Sequence, residues 1–280
     1  MKLNTDINQI SRTAFLTLQC HALDATSRNP ILNDQSSLNT LAHLKSAVKD
    51  SDSALYQRIT DDKVKANLVK HTVLRARQYD QYIRDFLDLY PDATVVNIGC
   101  GLDDRFTRVD NGRVRMYDLD LPDIMALRSQ LFPPKERYEQ IAQSVFEFDW
   151  IGRISGNHVI LLAEGVFMYC EESDVRDLFR HLQARLVHPE IVFEVFNKKW
   201  LRGWRRRSME VKMTKELKLD KETLFRFGIS DSDEIEQWDQ GYRLLGDWSY
   251  FDNLEGSLLA KLARNIDSLR KVQWTVRYRL

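Results

Sequence analysis

The sequence predicts an α/β protein with a mostly parallel sheet that holds a nucleoside cofactor, on three observations. Thr94-Val95-Val96-Asn97-Ile98 is an apolar, β-branched run that breaks at Gly99-Cys100-Gly101 and turns acidic at Asp103 and Asp104. Two glycines one residue apart let a backbone turn sharply and approach a bound molecule with no Cβ in the way, so Gly99 and Gly101 are candidate cofactor contacts. The next strand, 114–120, places Asp118 and Asp120 about twenty residues beyond Gly99, the spacing at which an acidic side chain meets an adenosine ribose. Strand and helix patterns then alternate, the order that builds a parallel sheet with helices on both faces.

Ahead of that strand the chain reads as helical. Ile7, Ile10, Ala14, Leu18 and Ala22 recur at helical intervals, which predicts an amphipathic helix over 7–25, ended by Asn29-Pro30. A weaker helix follows over 38–48. One or two more span 61–90, with Val64, Leu68, Val73, Leu74, Tyr82, Ile83 and Leu87 on the buried side. Beyond Asp120, Leu121-Pro122 opens a helix to 132, with proline in the first turn where its missing N–H costs least. A strand over 140–145 leads to a loop at 146–150. His158 to Ala163 is then a continuous apolar run, suited to a strand buried on both faces. A helix over 171–186 and a strand over 190–196 continue the alternation. The strongly basic stretch 197–226, with Trp200 and Trp204 interleaved, reads as an inserted helical cap. Strands at 242–248 and 272–278 enclose a helix near 254–269. We expect one domain of seven strands: a helical lid region at 1–92, a cofactor-binding core at 93–196, the cap at 197–240, and closing strands and helix at 241–280.

Composition narrows the class. Lys and Arg number 41 and Asp and Glu 41, so no global basic field argues for nucleic acid and no acidic excess for disorder. The expected partner is a small-molecule acceptor. Cys20, Cys100 and Cys170 lie far apart with no ligand spacing, which fits neither a disulfide framework nor a zinc site. No metal is expected, and His158, His181 and His188 read as structural or exposed. No run approaches the roughly eighteen apolar residues of a membrane span, and residues 1–10 lack a leader's apolar core. A soluble chain of the reducing cytoplasm, binding neither nucleic acid nor membrane, is the expectation.

The turn itself discriminates among nucleoside cofactors. A nicotinamide fold wants a third glycine three residues after the second, so that a helix start can hold a pyrophosphate; here Asp104 stands there. Carboxylates at Asp103 and Asp104 would repel a diphosphate, whereas a cofactor carrying a sulfonium and an amino group tolerates them. S-adenosylmethionine, giving S-adenosylhomocysteine, is the expected cofactor. A nicotinamide-dependent oxidoreductase and a non-catalytic S-adenosylmethionine-binding protein are the alternatives.

Five pieces in order then bring a family into view: Ser11-Arg12-Thr13-Ala14, Leu74-Arg75-Ala76-Arg77-Gln78-Tyr79-Asp80, Asn97 through Arg105, Tyr117-Asp118-Leu119-Asp120-Leu121-Pro122, and Ala163-Glu164-Gly165-Val166-Phe167-Met168-Tyr169. With these the chain resembles the leucine carboxyl methyltransferase family, in particular bacterial members of the tetracenomycin polyketide O-methyltransferase kind. The resemblance implies a Rossmann-like class I methyltransferase fold. It implies that Arg77 pairs with the methionine carboxylate, that Gly99 lies against the cofactor, that Asp120 meets the ribose, that Asp149 and Trp150 border the adenine, and that Glu164 sits near the methionine amino group. A bidentate arginine suits a carboxylate, and an anionic oxygen suits an ammonium. The family usually has glutamate where Asp118 stands, and threonine is common at the position of Asp104.

The residues by themselves carry less. A helical arginine such as Arg77 is more often a solvated charge. Glu164 is stronger, because an acid directly after an apolar strand must emerge at the strand's end with a partner. Asp149 suits a cap as well as an adenine contact. Tyr169 is the candidate to present a hydroxyl to the acceptor, although an aromatic at a strand end commonly belongs to the core. The predicted activity is methyl transfer to a carboxylate or hydroxyl of a small metabolite, an in-line displacement that needs alignment and exclusion of water.

Overall fold

A computed structural model describes residues 13–47, 64–207, 225–253 and 270–280. In chain order the helices are α1 (Thr13–Ala25), α2 (Gln35–Ala47), α3 (Ala66–Leu89), α4 (Arg105–Val109), α5 (Pro122–Leu131) and α6 (Glu172–Arg185). The strands are β1 (Thr94–Ile98), β2 (Arg115–Asp120), β3 (Tyr138–Ala142), β4 (Val159–Ala163), β5 (Glu190–Phe196), β6 (Arg243–Trp248) and β7 (Gln273–Arg279). They form one sheet in the order β3-β2-β1-β4-β5-β7-β6. β1 with β4, β2 with β3, and β4 with β5 run parallel, while β7 runs antiparallel to both β5 and β6. This is the predicted mostly parallel, seven-stranded sheet. The helix ends expected at 7–12, 48 and 61–63, the cap residues 208–224 and the helix near 254–269 lie outside the described residues.

The chain divides into two compact units. The first comprises residues 1–92 and 100–144. In it α1 buries Phe15, Leu18 and Ala22 against Leu41 and Leu44 of α2 and against Ile124, Met125 and Leu127 of α5. The α1–α2 connection is pinned by Asp24, whose carboxylate accepts from the N–H groups of Ile31, Leu32 and Asn33 at 2.8 to 3.1 Å. α3 turns Val73, Leu74, Tyr82, Ile83 and Leu87 inward, as their spacing predicts. α5 opens on Pro122. β3 starts and ends earlier than its apolar pattern indicated, because Tyr138 to Ala142 pair with Met116 to Asp120 and leave residues 143–145 beyond the ladder.

The second unit comprises residues 93–99 and 145–280. β1 and β4 are buried along their full length, so their continuous apolar runs are what a central position requires. α6 lays Val175, Leu178, Phe179 and Leu182 inward, and Phe179 meets Phe167, Phe193, Trp238 and Tyr242 edge-on or tilted. Glu190 of β5 is held by Arg277 and Arg279 across the antiparallel ladder. Within the expected cap, the described residues include a turn at Lys198–Leu201, one short helical turn at 203–207, a return in which Ile229 bridges Asn197, and a further turn at Glu234–Gln237.

Candidate cofactor site

In the second unit the parallel register sets Ile98 opposite Ala163, so Gly99 and Glu164 leave β1 and β4 at the same edge. Gly99 has φ +65, and a Cβ there would collide with Cγ2 of Val166. Only glycine meets both demands, as its backbone freedom predicts. Glu164 is half-buried, following five fully buried strand residues. The chain then makes a short turn, Phe167–Tyr169, that sets Tyr169 against Phe225 at 5.3 Å between ring centroids and beside Met168 and Phe196. Asp149 is exposed in the turn Phe148–Arg153. Its neighbour Trp150 is fully buried and donates its indole N–H to the carbonyl of Val145 at 2.9 Å. The Trp150 side chain therefore anchors the turn, and any ligand contact at that position falls to its backbone.

In the first unit Gly101 has φ +52, and a Cβ there would lie 2.9 Å from that of Ala14 on α1. Its N–H donates to Oδ2 of Asp120 at 2.7 Å, while the N–H of Leu121 donates to Oδ1 at 2.7 Å. Asp120 is half-buried at the end of β2, and burial pushes its carboxyl up to about 6 against the pull of those two amides and of Arg128. Arg77 stands exposed on α3, and no hydrogen bond or ion pair joins it to another described residue.

Asp118 has a different place from the one expected. It is fully buried, ion-paired with Arg128, and accepts from the hydroxyl of Tyr138 at 2.6 Å. Its carboxylate is used within the fold and is left out of the ligand set proposed below. An acid inside an apolar strand demands such a cation, so a buried arginine was foreseeable in kind. Its location in α5 was not.

The acidic turn also needs correcting. Asp103 is paired with Arg105 at 3.0 Å and Arg108 at 2.6 Å. Against the burial that would raise it, those arginines hold its carboxyl well below the usual range. Asp104 accepts from Ser36 at 2.8 Å and faces Lys135 at 3.3 Å. Their charges are compensated inside the unit, so repulsion of a diphosphate is not what selects the cofactor. Arg108 further reaches Asp34 at 2.9 Å and Asp80 at 2.7 Å. Its guanidinium supplies the positive charge between Asp34 and Asp103, close to His21, where a cation could otherwise sit.

Comparison with known proteins fixes the class. The family model for leucine carboxyl methyltransferase matches residues 14–149. The tetracenomycin polyketide synthesis O-methyltransferase TcmP of Streptomyces glaucescens is 28% identical over 246 residues, covering 87% of this chain and 84% of that protein. The S-adenosyl-L-methionine-dependent methyltransferase dpfgK of Gibberella zeae is 29% identical over 196 residues, covering 65% and 64%. Among solved structures, a Thermobifida fusca YX protein superposes with a TM-score of 0.55 at 12% identity over 93% of each chain, a likeness of fold. The chain is thus an S-adenosylmethionine-dependent methyltransferase, which sets aside the oxidoreductase alternative. Over its first half it is similar to the leucine carboxyl methyltransferase family, and TcmP resembles it over most of its length.

Taken unit by unit, the residues have features that suit parts of such a cofactor. The Gly99 cradle has room only for backbone beside Val166, Asp120 keeps its carboxylate at a strand end, and Arg77 offers a guanidinium with no described competitor.

Proposed function

We propose that the protein is an O-methyltransferase acting on a carboxylate or hydroxyl of a small metabolite, and that Arg77, Gly99, Gly101, Asp120, Asp149, the Trp150 backbone and Glu164 hold its cofactor. The observation that carries the reading is the shared edge of β1 and β4, where a turn that only glycine can make and a carboxylate come together. When bound, S-adenosylmethionine supplies an electrophilic methyl group on a sulfonium. The chain's own residues bind and align. Arg77 takes the cofactor's carboxylate through a two-pronged donor, and Glu164 accepts from its ammonium. Asp120 accepts from ribose hydroxyls. Tyr169 would present its hydroxyl to the acceptor and orient the attacking oxygen for the displacement. A carboxylate acceptor is already ionised at neutral pH, whereas a phenol with a pKa of about 10 is not, so an acidic acceptor asks least of these residues. The printed name of TcmP, an O-methyltransferase of polyketide synthesis, supports the same chemistry.

Calorimetry with S-adenosylhomocysteine tests the cofactor half. The wild-type chain should bind, and Arg77→Ala and Glu164→Ala should each weaken binding about tenfold or more. Methyl transfer from labelled cofactor to a panel of small carboxylic acids and phenols tests the acceptor half. Products that release methanol in mild base are esters, and those that do not are ethers. Cofactor binding with no transfer to any panel member would favour a non-catalytic binding protein.

A further inference from the structure

We propose that Arg128 is the positioning residue of the cofactor turn: held by Asp118 and Tyr138, it fixes the carbonyl of Gly101 while Asp120 fixes that residue's N–H, so that Asp120 meets the cofactor in one orientation. The proposal rests on the reading of Asp120 as a cofactor ligand. Arg128 is fully buried in α5. It donates through Nη1 to the carbonyl of Gly101 at 2.9 Å, through Nη2 and Nε to the hydroxyl of Tyr138 at 3.0 and 3.3 Å, and it ion-pairs with Asp118. The guanidinium also lies 4.6 Å over the ring of Phe132.

Stability alone does not require this arrangement. A buried ion pair is commonly replaceable by apolar side chains of similar volume without loss. What apolar side chains cannot supply is a donor for the Gly101 carbonyl. Asp118 and Asp120 are two apart on β2 and share one face of the strand. That face ties Gly101 at both ends: directly through Asp120 to its N–H, and through Arg128 to its C=O. The cation acts a second time, because its charge favours the ionised form of Asp120, which burial opposes. Arg128 therefore holds the orientation of a carboxylate it does not touch and, with the Gly101 and Leu121 amides, favours its ionised form against burial and the nearby Asp123.

These two effects separate by substitution. S-adenosylhomocysteine is titrated across the acid range into the full chain carrying Arg128→Lys, Arg128→Gln, Tyr138→Phe or Asp120→Asn. Val175→Ala, a core change in α6, serves as a control for simple destabilisation. Arg128→Gln should weaken binding by about tenfold, the scale seen when outer partners of a ligating group are lost. It should also move the acidic limb of binding to higher pH. Arg128→Lys keeps the charge but not the fork, so the limb should stay while affinity falls. Tyr138→Phe should raise KM for S-adenosylmethionine severalfold and leave kcat at saturation unchanged, and Val175→Ala should do neither. If Asp120→Asn weakens binding while Arg128→Gln leaves affinity and limb as in the wild type, the positioning role is overturned and the ligand reading survives. If Asp120→Asn binds as the wild type does, the ligand reading falls and this proposal with it. Should Arg128→Gln fail to fold, Tyr138→Phe decides, because unchanged KM overturns the role.

Discussion

The N–H of Gly101 donates to Oδ2 of Asp120 at 2.7 Å, so the glycine turn and the acid about twenty residues on are a single hydrogen-bonded unit. Burial places that acid near 6, against an ordinary value of 3.8. An ionised Asp120 accepts from ribose hydroxyls through its free lone pairs, whereas a protonated one has lost part of that capacity. Affinity for S-adenosylhomocysteine should therefore fall as the pH drops through about 6, and Asp120→Asn should flatten that limb. For the ligand-free chain the linkage has the opposite sense. The folded form holds the proton more tightly than the unfolded form, so the Asp120 contribution favours folding at low pH and is lost as the pH rises from about 4 to about 6. Melting with and without ligand across that range checks both directions.

Gly99 offers a second handle, because its two constraints can be varied apart. Gly99→Ala should cost about 1–2 kcal/mol from the left-handed backbone alone, with a further loss from the collision with Val166. Val166→Ala removes the collision without touching φ. The double variant should thus recover part of the melting temperature lost by Gly99→Ala and retain a deficit of about that backbone cost. Full recovery in the double variant would show that the left-handed turn is not a constraint.

Much of this was legible in the sequence, for reasons that differ by residue. The strands β1, β4 and β5 are buried on both faces, and continuous runs such as Val159 to Ala163 advertise that burial directly. Gly99 was legible because a positive φ leaves few residue choices. The compensation of Asp103 was not. Arg108 reaches Asp34, Asp80 and Asp103 from positions far apart in the chain, and no local periodicity records such a meeting. Reading the acidic turn as a bare negative charge therefore gave the right cofactor for a reason the structure withdraws. The burial of the Trp150 side chain was likewise not legible. Its neighbour Asp149 is exposed, but the indole is spent on the Val145 carbonyl inside the fold.

That buried network makes its own prediction. Arg108 serves three carboxylates, and removing it leaves them inside the unit with less cation than charge. Arg108→Met should destabilise the chain by about 3–5 kcal/mol, the usual cost of orphaning a buried partner. The pH dependence gives the mechanism. Asp103 is depressed in the folded state, so its contribution is present above the ordinary carboxylate value of 3.8 and is lost as the pH falls toward the depressed one. The wild type should lose stability on acidification through that range, while the variant, in which Arg105 alone of the two arginines still depresses Asp103, should lose less. Denaturant titrations at neutral and acid pH would reveal it, and parallel acid sensitivity in the two proteins would count against the network.

Tyr169 separates binding from chemistry. Its ring is half-buried against Phe225, packed on the apolar group of Phe196 and Met168, so the ring and the hydroxyl have different duties. Tyr169→Phe keeps the packing and removes only the hydroxyl. If that hydroxyl orients the acceptor, S-adenosylhomocysteine affinity should stay at the wild-type value while kcat/KM for the acceptor falls by roughly ten- to a hundredfold, the loss of about 1.4–2.7 kcal/mol of transition-state binding. Tyr169→Ala also opens a gap beside Phe225, so its melting temperature should fall where that of Tyr169→Phe does not. Unchanged transfer by Tyr169→Phe would confine the residue to packing. A fall in cofactor affinity instead would move the hydroxyl to the cofactor's side of the site.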